Sequence, residues 1–207
     1  MNWKYHLFLF ITITYIVNKA QAQNDSIKTD IFLNMQIDSA FKFDQDDRAK
    51  IQHILSKFGI QSKEAQHIFD QTALHDSSNI VAISNILDKY GWPDSSSIGT
   101  DRSIAIWAIL QHADSAIQEK YFPIMQLAVK QKKLAPRYLA LTEDRRLVRQ
   151  GKPQIYGSQL QIDQQTGKRT FFPIIDPKNI NKRRRSVGLD TIEEYAKSLN
   201  VPYPNSN

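Results

Sequence analysis

No cysteine occurs anywhere in the chain. Disulfide bridges and cysteine nucleophiles are therefore excluded, and the fold must be stable through packing alone. Also missing are a glycine-rich phosphate loop, a Gly-x-Ser-x-Gly nucleophile elbow and a His-Glu-x-x-His helix. Those absences remove the usual sequence signatures of P-loop hydrolysis, α/β-hydrolase chemistry and zinc proteolysis. His53, His67 and His75 lack the spacing of a metal-binding helix, and His112 with Asp114 supplies at most two ligands. Neither a metal nor a cofactor is expected. A large charge of one sign is lacking too, because 27 Lys+Arg stand against 21 Asp+Glu for a net +6. With no basic stripe and no matching motif, nucleic acid is not an expected partner.

What is present begins with a leader-like segment. Lys4 supplies a positive end, Leu7 to Val17 is apolar apart from two threonines and a tyrosine, and Ala20-Gln21-Ala22 is a small-x-small cleavage pattern. The run is about half of the ~20 residues a membrane-spanning helix needs. Residues 1–22 are thus expected to be a signal peptide, leaving no integral membrane span after cleavage and an exported product, periplasmic or extracellular. Its removal takes Lys4 and Lys19 and no acid, leaving 25 basic against 21 acidic residues. A short linker, 23–29, one domain over 30–199 and a loose tail, 200–207, complete the expected layout.

Periodicity makes that domain mainly α, a helical bundle with one β-hairpin inserted before the last helices. Apolar residues recur at helical intervals from Ile31 to Phe58, interrupted by the polar cluster Asp44 to Arg48, so one helix or two fit equally. Ser62 is placed to N-cap a helix ending at Gly91, with Asp76 to Asn79 a candidate break in its middle. Thr100 or Asp101 caps an all-round apolar helix through Trp107 to His112. Asp114 or Ser115 caps the next, in which Pro123 marks a kink or break. Pro136 suits the first position of a helix carrying Tyr138, Leu141, Thr142, Arg145 and Val148 on one side. Ile155 to Ile162 and Thr170 to Ile175 then flank Asp163 to Gly167 as a hairpin, near 155–175. Asp176-Pro177 opens a basic helix in which Lys182 to Arg185 reads as a solvated face, and Asp190 caps the last helix.

Six motifs follow one another in order. They are Asp44-Gln45-x-x-Arg48, Tyr90-Gly-Trp-Pro93 with Gly99, Gln111-His-Ala-Asp114, Asp144-Arg145, Gln154-x-Tyr-Gly-Ser-Gln159, and Arg183-Arg184 before Gly188-Leu189. The series resembles a bacterial family known only as a domain of unknown function, DUF6624, over roughly Asp30 to Tyr195. Ser158 stands where that family favours threonine, which keeps the hydroxyl, and Arg146 where an apolar residue is more usual. The resemblance implies a shared fold and a shared polar pocket, and no activity.

Chemistry centres on His112, whose side chain has an unperturbed pKa near neutrality. A carboxylate from Asp114 or Asp144 would fix its tautomer for acid–base catalysis, the Asp114 pairing requiring the helix to end by Ala113. Otherwise His112 is a buried helix-end residue bonded to the backbone. Arg145, in the middle of an apolar stripe, demands an acidic partner, with Asp44, Asp114 and Asp144 the candidates. His112, Asp114, Asp144 and Arg145 form the expected catalytic group. Gln154, Tyr156 and Ser158 share a strand face to which a bulge at Gly157 would return Gln159, and these four with Asp44 and Arg48 form the expected ligand-binding group. The alternative is that Gln154 and Gln159 pair with orphan backbone groups, and that Asp44 with Arg48 is a surface ion pair. The function expected from this reading is binding, and in its stronger form hydrolysis, of a small polar ligand of the cell envelope, a glycan or peptide fragment. Against it stands a non-catalytic interaction domain whose polar motifs hold the fold.

Overall fold

A computed structural model describes residues 3–163 and 166–203, with side chains from Asp30 onward. The side chains of the expected leader and linker, 1–29, and the end of the tail, 204–207, lie outside the described residues. Among the described residues, eight helices and one two-stranded antiparallel hairpin make a mainly α fold, as periodicity indicates. Their order is α1 Trp3–Phe58, α2 Lys63–Tyr90, α3 Ser95–Ile98, α4 Thr100–His112, α5 Ser115–Lys130, α6 Pro136–Arg149, β1 Leu160–Ile162, β2 Arg169–Phe171, a 3₁₀ turn Pro177–Asn179, α7 Ile180–Ser186 and α8 Ile192–Ser198. No helix among the described residues is long and apolar enough to cross a membrane.

Local signals place several boundaries where expected. The Ser62 hydroxyl accepts from Ala65 N and starts α2, Asp114 accepts from Ile117 N at 2.8 Å and starts α5, and Pro136 opens α6. None of the three candidate interruptions ends a helix. α1 runs unbroken through Asp44 to Arg48 because those groups meet partners on other helices, so the polar cluster is an inward face rather than a loop. α2 is continuous through Asp76 to Asn79, where Asp76 bonds Arg48 and the Ser78 hydroxyl bonds the Leu74 carbonyl. Pro123 sits inside α5 without ending it. The cap of α4 is Gly99 at φ +83, not Thr100 or Asp101, and α8 is capped by Thr191 in a reciprocal box with Glu194 rather than by Asp190.

The core lies where α1, α2, α4 and α5 meet. Ile37, Ile83, Leu87, Ile106, Ile109, Leu110, Tyr121 and Met125 are all buried there. At the roughly 25 cal/mol per Å2 that apolar burial supplies, residues like these are the main source of stability in a chain without bridges. Hydrogen bonds tie the helices at their ends: Trp92 Nε1 donates to the Ser103 hydroxyl at 2.9 Å, which donates to the Lys133 carbonyl at 2.7 Å. The hairpin pairs Leu160 with Phe171, Gln161 with Thr170 and Ile162 with Arg169. It is much shorter than the alternation over 155–162 and 170–175 suggests, for a reason found in Asp144.

Candidate functional site

Asp44 projects from α1 into the junction with α2 and α4 and is 1% exposed. Its Oδ1 lies 2.5 Å from His112 Nδ1, and its Oδ2 accepts from Gln45 Nε2 at 2.8 Å. His112 is the last residue of α4, 30% of its side chain is exposed, and Nε2 has no hydrogen-bond partner among the described residues. A buried carboxylate thus orients a partly exposed imidazole through one nitrogen and leaves the other without a partner. Burial alone would raise the Asp44 pKa; the hydrogen bond and charge of His112, with Gln45 and Arg48, outweigh it and hold the carboxyl below the usual carboxylate range. Arg48, one turn along α1, donates to both Asp76 oxygens at 2.8 and 2.9 Å and stands 3.5 Å from Asp44 Oδ1.

Sequence reasoning named Asp44, Arg48 and His112 but joined His112 to the wrong acid. Asp114 is spent on capping α5 and Asp144 on the main chain, as described below, so neither reaches His112. The true partner is 68 residues away in sequence, across the bundle. Asp76 was missed, having been read as part of a break. Also missed was a second pair on α1 and α2, in which buried Asp47 meets His75 Nδ1 at 2.6 Å beside the Phe43 ring. The available signal was the spacing of Asp44 and Asp47, three apart and therefore neighbours on one helix.

Atoms of Asp44, Asp76 and His112 lie within 4.8 Å of one another, and these three are the side chains that would hold a divalent ion. Arg48 already places a cation between the two carboxylates. The donor set therefore fits an acid–base network better than a metal centre.

The motif around Asp144 has a different character. Asp144 is fully buried, and its carboxylate accepts from three main-chain N–H groups: Ile155 at 2.7 Å, Tyr156 at 2.9 Å and Ser158 at 2.9 Å. Residues 154–159 wrap this carboxylate instead of continuing β1, which is why the strand begins only at Leu160. Gln154, also fully buried, donates to the carbonyls of Gln159 and Phe172 and accepts from Gln159 N at 2.8 Å. Its amide is consumed by the backbone, so Gln154 is not available to a ligand. Gln159 donates to the buried Ser158 hydroxyl, and the Ser158 carbonyl accepts from the Tyr195 hydroxyl at 3.2 Å. Tyr156 is half-buried, its hydroxyl pushed up in pKa by burial and then by Glu143.

Gly157 has φ +68, and a Cβ there would lie 2.9 to 3.1 Å from methyl groups of Ile192, Ile180 and Ile174, so this turn admits glycine alone. It is a close approach, not the strand bulge the alternation suggests. Arg184, read from sequence as solvent-facing, is 2% exposed and donates to the Tyr156 carbonyl at 2.6 Å while lying over the Tyr195 ring. Burial lowers its pKa.

Arg145 meets no carboxylate within ion-pair distance among the described residues, contrary to the expectation of an acidic partner. It donates to the Gln111 carbonyl at 2.8 Å. The expected single pocket is accordingly two constellations: Asp44, Arg48 and His112 with Asp76, and Asp144 with Gln154 to Gln159. Arg145 lies at the end of α4 beside the first.

Fold and site together define a mainly α protein with a buried aspartate set on a partly exposed histidine and a C-terminal segment bearing a β-hairpin. The chain belongs to the family of unknown function DUF6624, whose sequence profile matches residues 35–205. No curated protein and no solved structure matches it.

Proposed function

We propose that the protein binds and hydrolyses a small polar ligand at the junction of α1, α2 and α4, with His112 as the general base. The observation that carries this reading is the buried Asp44 carboxylate on His112 Nδ1 with Nε2 left unpartnered on a side chain that is 30% exposed. In the reaction, Nε2 takes a proton from water as its oxygen attacks the scissile centre. The bond to the leaving group breaks, and the imidazolium returns the proton to that group. Asp44 fixes the tautomer and stabilises the imidazolium, which also sits favourably at the C-terminal end of α4. Arg48, held by Asp76, steadies Asp44 from the side.

The ligand proposed is a glycan or peptide fragment of the cell envelope, because the Leu7 to Val17 run and Ala20-Gln21-Ala22 favour export with cleavage after Ala22. N-terminal sequencing of protein secreted from a bacterial host tests that step, and an intact Met1 would end it. The catalytic reading is tested with chromogenic acyl esters, aryl glycosides and labelled peptide fragments. Release from at least one class is expected, falling about 100-fold or more in His112→Gln. No release from any class, or equal rates in wild type and variant, would remove it. For Asp144, Gln154 and Arg184 a fold-holding role is favoured instead, since their bonds go to the main chain.

A further inference from the structure

The end of α4, the first turns of α5 and the last turn of α6 converge on the Gln111 carbonyl. That oxygen accepts from Arg145 at 2.8 Å and from Gln118 Nε2 at 3.1 Å, while Gln118 Oε1 accepts from Arg149 at 2.8 Å. The buried Gln118 amide thus links Arg149 to the same carbonyl that Arg145 bonds, and the two arginines are four residues apart on α6. Neither forms an ion pair among the described residues, whereas Arg146 between them is neutralised by Glu119 and lies 3.6 Å over the Phe122 ring. Burial and then the charge of Arg149 hold the half-buried Arg145 below its ordinary pKa, the sign of a cation short of compensation.

Beside Arg149 opens a cavity of about 430 Å3 lined also by Ser115, Gln118 and Gln150 and by the Arg146–Glu119 pair. Arg149 on the wall of this hollow, with Arg145 one turn away on the same face of α6 and both guanidiniums keeping unspent donors, suits an oxyanion. Gln111 immediately precedes His112, so the cluster adjoins the acid–base pair along α4.

We propose that Arg145 and Arg149, steadied by Gln118, bind an oxyanion, either carboxylate or phosphate, and so select a negatively charged ligand for the His112 centre. The second half of this statement rests on the hydrolytic reading; the first does not.

Inorganic phosphate and acetate are each titrated into the full-length protein by calorimetry at constant ionic strength, with chloride as the reference. Saturable binding of one or both is expected: phosphate alone marks a phosphoryl group, acetate alone a carboxylate, and both the shared site. Arg149→Gln keeps a donor for Gln118, and with Arg145→Gln it is expected to weaken that binding at least tenfold at unchanged melting temperature. Arg145→Lys, which keeps the charge, should restore part of it. Binding no stronger than chloride, or affinity unaltered in Arg149→Gln, would overturn the proposal. His112→Gln should bind the anion as wild type does, so loss of the hydrolytic reading leaves this result interpretable by itself.

Discussion

Asp44 and Asp144 are both aspartates with essentially no exposed surface, yet one is surrounded by side chains and the other by main chain. Around Asp144 three N–H groups of one loop fill the carboxylate, and the neighbouring Gln154 amide is likewise used by the backbone. Around Asp44 the partners are His112, Gln45 and Arg48, and the network ends at an imidazole that is 30% exposed and has no hydrogen-bond partner at Nε2 among the described residues. Burial alone therefore says little about purpose. A carboxylate saturated by backbone shapes a loop, while one held against an imidazole fixes that ring's orientation.

The contrast is broken most severely by Asp144→Ala. Three N–H groups, that of Ser158 buried and those of Ile155 and Tyr156 partly so, would lose their acceptor at once, and chemical denaturation should show a loss of about 3 to 5 kcal/mol. A loss under ~1 kcal/mol would mean that the loop does not depend on the carboxylate. Next comes Gly157→Ala, where a strained φ and contact with three isoleucine methyls act together. A destabilisation of roughly 2 to 3 kcal/mol is expected in the same assay.

Asp44→Asn sharpens the comparison through pH. The folded Asp44 carboxyl has a depressed pKa, so its stabilisation is present at neutral pH and is lost as acid takes the group through that lowered value. The stability difference between wild type and Asp44→Asn should thus be largest near neutrality and vanish in the most acid range, measured by urea unfolding at stepped pH. A pH-independent difference would contradict the assignment. Glu143 gives the smallest effect and the opposite sign. Burial, then the neighbouring Asp144, raises its pKa, so the folded state favours the protonated form and the contribution to stability fades as pH rises through the raised value. Glu143→Gln should melt slightly higher than wild type at neutral pH and at the same temperature in acid.

Much of the fold was legible because its signals are local. Ser62, Gly91, Asp114 and Pro136 mark helix ends by chemistry acting over three or four residues, and each does so here. The site was legible only in its parts. Asp44, Arg48 and His112 stood out as polar residues in helical faces, but a bond between α1 and α4 is set by tertiary packing, which spacing along the chain does not encode. The alternation of Gln154, Tyr156 and Ser158 imitates a strand, whereas the segment follows the ring of N–H groups that Asp144 requires. Arg184 misleads in the same way, because three neighbouring basic residues disguise one that is desolvated against Tyr195.

The difference between the two aspartates is tested most directly by the thermal unfolding of His112→Gln beside Asp144→Ala. The glutamine amide keeps a donor for Asp44, so His112→Gln should stay within about 0.5 kcal/mol of wild type while Asp144→Ala collapses. If His112→Gln falls as far as Asp144→Ala, the imidazole is a structural pin and the acid–base reading is wrong.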